Sequence, residues 1–190
     1  MASRNPTTIP PFPDTIDRRD FAIFTSGFTA GEGCFMLWMK TGPQGGGRSK
    51  FHIALRKDDQ SVLQLIQSFW GCGNLRDAIS YTSKSKPQVT YSIDKTTHLQ
   101  NIVVPHFDQF PMYAKKQNDF LVWKEAVKFA YERMTSSRYG TPWSDRENDY
   151  FRQMIACLKE CRRYKLDEPI ILPPMPLPDV PVRPHQNLLF

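Results

Sequence analysis

The sequence predicts an α+β fold in which helices are gathered on one face of an antiparallel sheet, and three observations predict it. Hydrophobic periodicity alternates along the chain between 3.6 and 2, in the order αββαββα. Within each strand pair the connection is short and rich in turn-forming or polar residues, as antiparallel neighbours require. All four strand stretches alternate apolar with polar residues, so the sheet has one core face, where the helices belong, and one face left open.

Taken in order, prolines 6, 10, 11 and 13 forbid helix and central strand, so residues 1–16 form an irregular arm. Asp17 is placed to cap the first helix. In that helix Phe21, Phe24 and Phe28 recur at i, i+3 and i+7 as one apolar face, while Ser26, Gly27, Ala30 and Gly31 make a second face of small residues. An interior helical Gly costs about 1 kcal/mol relative to Ala. Such a face is therefore expected to meet another backbone at close range, most simply a second helix. Glu32 then stands between two glycines at the junction with the first strand.

That strand, 34–40, sets Phe35, Leu37 and Met39 against Met36, Trp38 and Lys40, and a loop over 42–47 reverses the chain. The second strand, 49–56, sets Phe51, Ile53 and Leu55 against Lys50, His52, Ala54 and Arg56. A helix starting at Asp58 or Asp59 carries Val62, Leu63, Leu65, Ile66 and Phe69 and stops at Gly71 to Gly73. The third strand, 74–82, turns Leu75, Ile79 and Tyr81 inward, with Asp77 an exception, and the fourth, 88–94, turns Val89, Tyr91 and Ile93 inward. A short helix over 97–104, a break at Pro105 and a longer helix over 111–131 complete the pattern. Residues 144–164 read as an additional helix with Phe151, Ile155 and Leu158 apolar and Arg162, Arg163 and Lys165 at its end, favourable for the helix dipole.

The chain therefore divides into an arm (1–16), one α+β domain (17–135), a helical extension (136–166) and a Pro-rich tail (167–190) whose prolines forbid regular structure. Cys34, Cys72, Cys157 and Cys161 form no CxxC pair, and with no signal peptide they read as free thiols. No apolar run has the roughly 18 residues needed to cross a bilayer, so no membrane partner is expected. An intracellular place follows, either bacterial cytoplasm or an organelle, although residues 1–13 lack the amphipathic, Arg-bearing pattern of a transit peptide.

A net charge of +6 and a pI of about 9.2 favour a polyanionic partner. Strand parity is more specific. The outward residues Trp38, Lys40, Lys50, His52, Arg56, Asn74, Arg76, Ser80, Gln88, Thr90 and Ser92 include no acid, whereas a merely solvated face mixes both signs. A two-stranded ribbon fits the DNA major groove, where Arg and Lys read guanine, Asn and Gln read adenine, and other polar groups hold phosphates. The sheet face is expected to bind double-stranded DNA.

The stretch Thr25-Ser26-Gly27-Phe28-Thr29-Ala30-Gly31-Glu32-Gly33 resembles the nine-residue signature of the LAGLIDADG homing endonucleases. The resemblance runs over roughly 21–131, through Phe51-His52-Ile53-Ala54-Leu55, Gly73-Asn74-Leu75 and His106-Phe107-Asp108-Gln109-Phe110-Pro111. It implies a saddle-shaped sheet and a homodimer in which two such helices pack through Ser26, Gly27, Ala30 and Gly31. It implies, too, that Glu32, helped by the backbone carbonyl of Gly31, presents Mg²⁺ to a DNA phosphate, and that Lys116, with Lys115 next best, is the basic residue near the active site. The sequence departs from the family at Ala30, where the motif's other acid is absent, and at Leu55, where many relatives carry a Gln that positions a water.

The activity so implied is site-specific double-strand DNA cleavage by metal-assisted phosphodiester hydrolysis, as in intron homing. Two rivals stand beside it. One is a protein of the same fold that has lost cleavage, either an RNA-splicing maturase or a transcription regulator; the other is a basic structural or ribosome-associated protein. Neither a Ser/His/Asp nor a Cys/His arrangement is present to suggest another hydrolase, and Gly45-Gly46-Gly47 lacks the Lys and helix of a phosphate loop. His98 and His106 lie on apolar segments and read as packing residues.

Overall fold

A side-chain oxygen of Asp17 accepts hydrogen bonds from the backbone amides of Arg19 and Asp20, at 2.8 and 2.9 Å, and starts helix α1 (Arg18–Glu32). The structure, a computed structural model, describes residues 8–42, 45–78, 86–136, 139–163 and 171–176. Ahead of α1 the irregular arm is pinned by Phe12, whose ring centroid lies 5.0 Å from Phe21 and 5.3 Å from Phe69. The Arg18 guanidinium covers Phe12 and Phe69 at 5.1 and 5.0 Å.

Strands β1 (Gly33–Met39), β2 (Gly47–Arg56), β3 (Asn74–Ala78) and β4 (Gln88–Ile93) form one sheet in the order β1-β2-β4-β3, antiparallel throughout. Between β2 and β3 runs α2 (Gln60–Trp70), closed by Gly71 in the left-handed conformation at φ 65°. Phe35, Phe51, Ile53, Val89, Tyr91 and Ile93 are buried beneath the helices as alternation predicts. The third strand is shorter than 74–82, and the predicted inward residues Ile79 and Tyr81 lie outside the described residues. Asp77, the expected exception, is exposed and pairs with Lys57.

Three expectations about the helices need correction. Pro105 does not break a helix. The chain runs from α3 (Thr96–His98) through a π-helical turn (Leu99–Val103) into α4 (Val104–Gln109), with Pro105 in the first turn of α4. Proline has no N–H and its ring crowds the carbonyl four residues upstream, and the widened turn before it relieves both conflicts. The long helix begins later than residue 111: α5 spans Lys116–Thr135, because the Gln117 side chain accepts the Met112 amide at 3.0 Å and holds the preceding residues as a loop. Its C-terminal end, at Thr135, is longer than predicted, and Arg133 in that added stretch is buried against Glu147 of the last helix, α6 (Asp145–Cys161).

α6 opens with a capping box between Ser144 and Glu147. It builds a second apolar cluster from Val122, Ala126 and Phe129 of α5 with Tyr150, Phe151, Met154 and Leu158, against Leu37 and Met39 of β1. A buried ion pair anchors this layer: Arg133 Nε lies 3.2 Å from Glu147 Oε1, although its N–H is not aimed there, and the Arg133 Nη2 group donates to the carbonyls of Thr141 and Pro142. Arg162 stands at the helix end as expected and, beyond that, folds back onto α5 and β1.

His106 is a packing residue as its apolar setting predicts, only 7% exposed among the rings of Trp70, Phe107 and Phe110. Its Nε2 lies 3.3 Å from Ser26 Oγ, which itself donates to the Phe110 carbonyl at 2.6 Å. Burial pushes the imidazole down from 6.5 to about 4. The unfolded chain therefore takes up this proton more readily than the folded chain, so the contribution to stability is full above pH 6.5 and is lost as pH falls towards 4. Urea titrations from pH 7.5 to 4 are expected to lose about 3 kcal/mol through this one group. In His106→Gln that part of the slope vanishes; a wild-type slope that the substitution leaves untouched assigns the pH dependence to other groups.

Candidate nucleic-acid interface and active site

Cross-strand register fixes the open face of the sheet. Trp38 stands opposite Arg48 and Met36 opposite Lys50, while Cys34, His52, Ser92 and Asn74 form a row across all four strands. Ala54, Thr90 and Arg76 form the next row, and Arg56, Gln88 and Ala78 the last. Trp38, Lys50, His52, Arg56, Asn74, Arg76, Gln88, Thr90 and Ser92 thus share one face, and Lys40 follows directly at the end of β1. Ser80 lies outside the described residues. No acidic residue occupies a described strand position on this face.

One basic residue of the face escaped the sequence reading. Arg48 is exposed because β2 begins at Gly47 rather than at 49, and its parity with Lys50 was the available signal. The arginines also differ in freedom: Arg56 pairs with Asp58 and Arg48 donates to the Gly47 carbonyl at 3.2 Å, whereas Arg76 has no partner among the described residues. His52 sits half-buried mid-sheet, with Nδ1 lacking a hydrogen-bond partner. Burial first, then the charges of Lys50 and Arg162, hold its imidazole below the usual value, so it is neutral at pH 7.

Glu32 is the last residue of α1, exposed at the edge of this face, and makes no hydrogen bond or ion pair among the described residues. The next residue must be glycine. A Cβ at Gly33 would lie 2.4 Å from Thr29 Cγ2 and 2.7 Å from the Thr29 carbonyl oxygen, so only Gly lets the chain turn from helix into strand here. Because α1 ends at this point, the carbonyls of its last turn, Gly31 among them, run out of intrahelical donors, and the last turn contains no basic residue. A carboxylate, backbone carbonyls and the negative end of a helix dipole form an oxygen set suited to a hard divalent cation. Among the described residues no three His, Cys, Asp or Glu side chains cluster to complete a site, so remaining ligands would come from substrate, water or a second chain.

Lys116 is half-buried in the first turn of α5, with exposed Lys115 just before it. The loop leading to them lies against α1: Gly27 and Ala30 share a cleft of about 450 Å³ with Phe110, Pro111, Met112 and Ala114. No hydrogen bond or ion pair joins Lys116 to Glu32 among the described residues.

The small-residue face of α1 needs one correction. Ser26 is buried and bonded to the Phe110 carbonyl of its own chain, so it faces inward rather than sharing the exposed face of Gly27 and Gly31. Gly27 and Gly31 are exposed, and a Cβ at either would meet nothing within 4 Å. Ile23, 54% exposed, and Phe24, 45% exposed, flank them. Phe24 was expected to share one apolar face with Phe21 and Phe28, but the buried face is made by Phe21, Ala22, Thr25, Ser26 and Thr29. Nothing in the described chain demands glycine at 27 or 31.

Comparison with known proteins adds three observations. A family model described as LAGLIDADG endonuclease matches residues 25–127. The chain is similar to "Probable intron-encoded endonuclease 2" of Neurospora crassa, at 28% identity over 123 residues, 62% of this chain and 26% of that protein. It is similar, too, to "Probable intron-encoded endonuclease Cox1-I1b" of Schizosaccharomyces pombe, at 30% identity over 108 residues, 56% of this chain and 27% of that protein. The chain thus spans about a quarter of the length of these curated relatives. Among solved structures, the homing endonuclease I-SmaMI bound to cleaved DNA superposes with a TM-score of 0.61 at 18% identity, covering 84% of this chain and 50% of that one. The meganuclease I-AabMI bound to uncleaved DNA gives 0.54 at 24% identity, covering 73% and 43%.

Proposed function

Because the chain belongs to the LAGLIDADG endonuclease family, we propose that it is a homodimeric, Mg²⁺-dependent endonuclease that cuts both strands of a long, near-palindromic DNA site, as in intron homing. The observation that carries this reading is a basic sheet face with no acid at its described strand positions, ending at a carboxylate, Glu32, that has no partner among the described residues and lies beside exposed Gly27 and Gly31. Mg²⁺, when bound, supplies an activated water and neutralises charge developing on the phosphoryl and leaving oxygens. Glu32 and the Gly31 carbonyl would hold the cation. Lys116, with Lys115 as the nearest substitute, contributes positive charge as the transition state forms. The sheet face orients the duplex: Trp38, Lys40, Arg48, Lys50, His52, Arg56, Asn74, Arg76, Gln88, Thr90 and Ser92 are its contact residues.

In vitro selection of cleaved sites from a randomised library with Mg²⁺ tests this directly. Recovery of a two-fold site supports the reading. Binding without cleavage leaves a regulator or maturase of the same fold, and preference for RNA selects the maturase. Arg76 then separates base reading from phosphate holding. Its guanidinium has no partner among the described residues and is exposed opposite Thr90, and a bidentate Arg–guanine pair gives about 1–3 kcal/mol of discrimination. Arg76→Ala is expected to relax specificity at one base pair in each half-site. Uniform weakening with a salt slope lower by about 1 makes it a phosphate contact instead.

A further inference from the structure

Arg162 lies beyond the family match, at the residue that caps the C-terminal end of α6, yet it reaches α5, which bears Lys116, and β1, which starts directly after Glu32. Its Nε donates to Asp119 Oδ2 at 3.0 Å, and its Nη2 donates to the backbone carbonyl of Phe35. Asp119 is 4% exposed and has no other hydrogen-bond or ion-pair partner among the described residues. It stands one turn after Lys116 in α5, and residues at i and i+3 share a helix face. Phe35 follows Glu32 by three residues on β1, the edge strand of the sheet. The Phe35 ring, fully buried, already packs on Trp123 of α5 at 5.0 Å. Arg162 closes the polar end of the same contact.

We propose that Arg162 is a positioning residue for DNA cleavage: it ties the first turn of α5, which bears Lys116, to the edge of β1 just beyond Glu32. The inference rests on the nuclease function proposed above. The planar guanidinium suits the task because its Nε and Nη groups donate along different directions in one rigid fork, which a lysine cannot reproduce. α6 is itself held by the second apolar cluster and the buried Arg133–Glu147 pair, so the arm that delivers Arg162 is anchored. The extension outside the family match thereby sets the distance between the metal-holding carboxylate and the charge-stabilising lysine. A displacement near 1 Å at such a centre is enough to cost on the order of 100-fold in rate.

The test compares wild type, Arg162→Met and the double variant Asp119→Asn/Arg162→Met on the selected DNA site. Removing Arg162 alone leaves Asp119 buried and unpaired and lowers the melting temperature; neutralising Asp119 as well restores it. Positioning predicts that the single-turnover cleavage rate falls by about 10- to 100-fold in both variants, with DNA affinity in Ca²⁺ held within about twofold. It predicts, too, that amide exchange at residues 33–36 and 116–120 quickens in both, including the variant whose melting temperature has recovered. A cleavage rate that recovers together with the melting temperature makes Arg162 a stability residue only and overturns the proposal. An affinity loss matching the rate loss, with a reduced salt slope, overturns it in favour of a phosphate contact. Should wild type fail to cut, the nuclease reading fails, and amide exchange alone still decides whether the tie exists: unchanged exchange in both variants sinks it.

Discussion

Glu32→Gln is expected to abolish cleavage while leaving DNA binding in Ca²⁺ in place. The exposed carboxylate has no protein partner among the described residues, so its removal breaks no hydrogen bond or ion pair that folding depends on. Glutamine keeps the shape and one acceptor oxygen but loses the charge that attracts a hard cation. The loss is expected to be on the order of 10³-fold in single-turnover rate, the upper end for removing one preorganised electrostatic group. In the proposed reading binding rests on the basic sheet face, which the substitution does not touch. Cleavage by the Gln variant at anything near the wild-type rate would falsify the placement of the metal at α1.

Gly27→Leu is expected to convert a dimer into a folded, inactive monomer. Two Gly positions on one exposed helix face are expensive, about 1 kcal/mol each relative to Ala, and the chain's own packing offers no reason for either. A leucine side chain has room in the isolated chain, so the helix is expected to gain propensity and the circular dichroism spectrum to persist. Across a two-fold seam the same side chain is repeated and pushes two backbones apart. Light scattering at micromolar concentration, with and without DNA, checks both halves of the claim. A wild-type monomer under both conditions places the second half-site elsewhere, and a Leu variant that still dimerises moves the seam off this face.

Much of the sheet was readable because alternation is a strict signal. One face of each strand is buried, and a slip of one residue would exchange the two faces, so parity in the sequence becomes position in the sheet. Arg48 was missed for a local reason: the Gly45-Gly46-Gly47 run looks like loop, yet Gly47 is a paired strand residue pressed beneath the Phe151 ring. The helix errors have a different origin. Pro105 reads as a break because proline conflicts with a regular α-helix, whereas the chain uses a wider turn. Ser26 and Phe24 exchanged their expected surroundings because helical spacing gives relative faces but not which arc the core takes, and Phe110 decided that by accepting the Ser26 hydroxyl. Glu32 could be singled out from its flanking glycines, but Arg162 could not. Its partners stand 43 and 127 residues away, and no periodicity reports a contact of that range.

The two faces of α5 have a consequence for how the protein is made. Phe120, Trp123 and Val127 belong to the cluster beneath the sheet, while Val122, Ala126 and Phe129 wait for α6. On the ribosome every strand is synthesised before α6, so the first cluster can close while the second half of α5 still shows an apolar stripe to water. At about 5–20 residues per second that interval lasts on the order of seconds, long enough for the stripes of neighbouring nascent chains to find one another. The capping box at Ser144 shortens the wait, since it starts α6 from groups adjacent in sequence and needs no tertiary contact to nucleate. Expression yield should therefore respond more sharply to Ser144 and Glu147 than to most positions on the open face of the sheet.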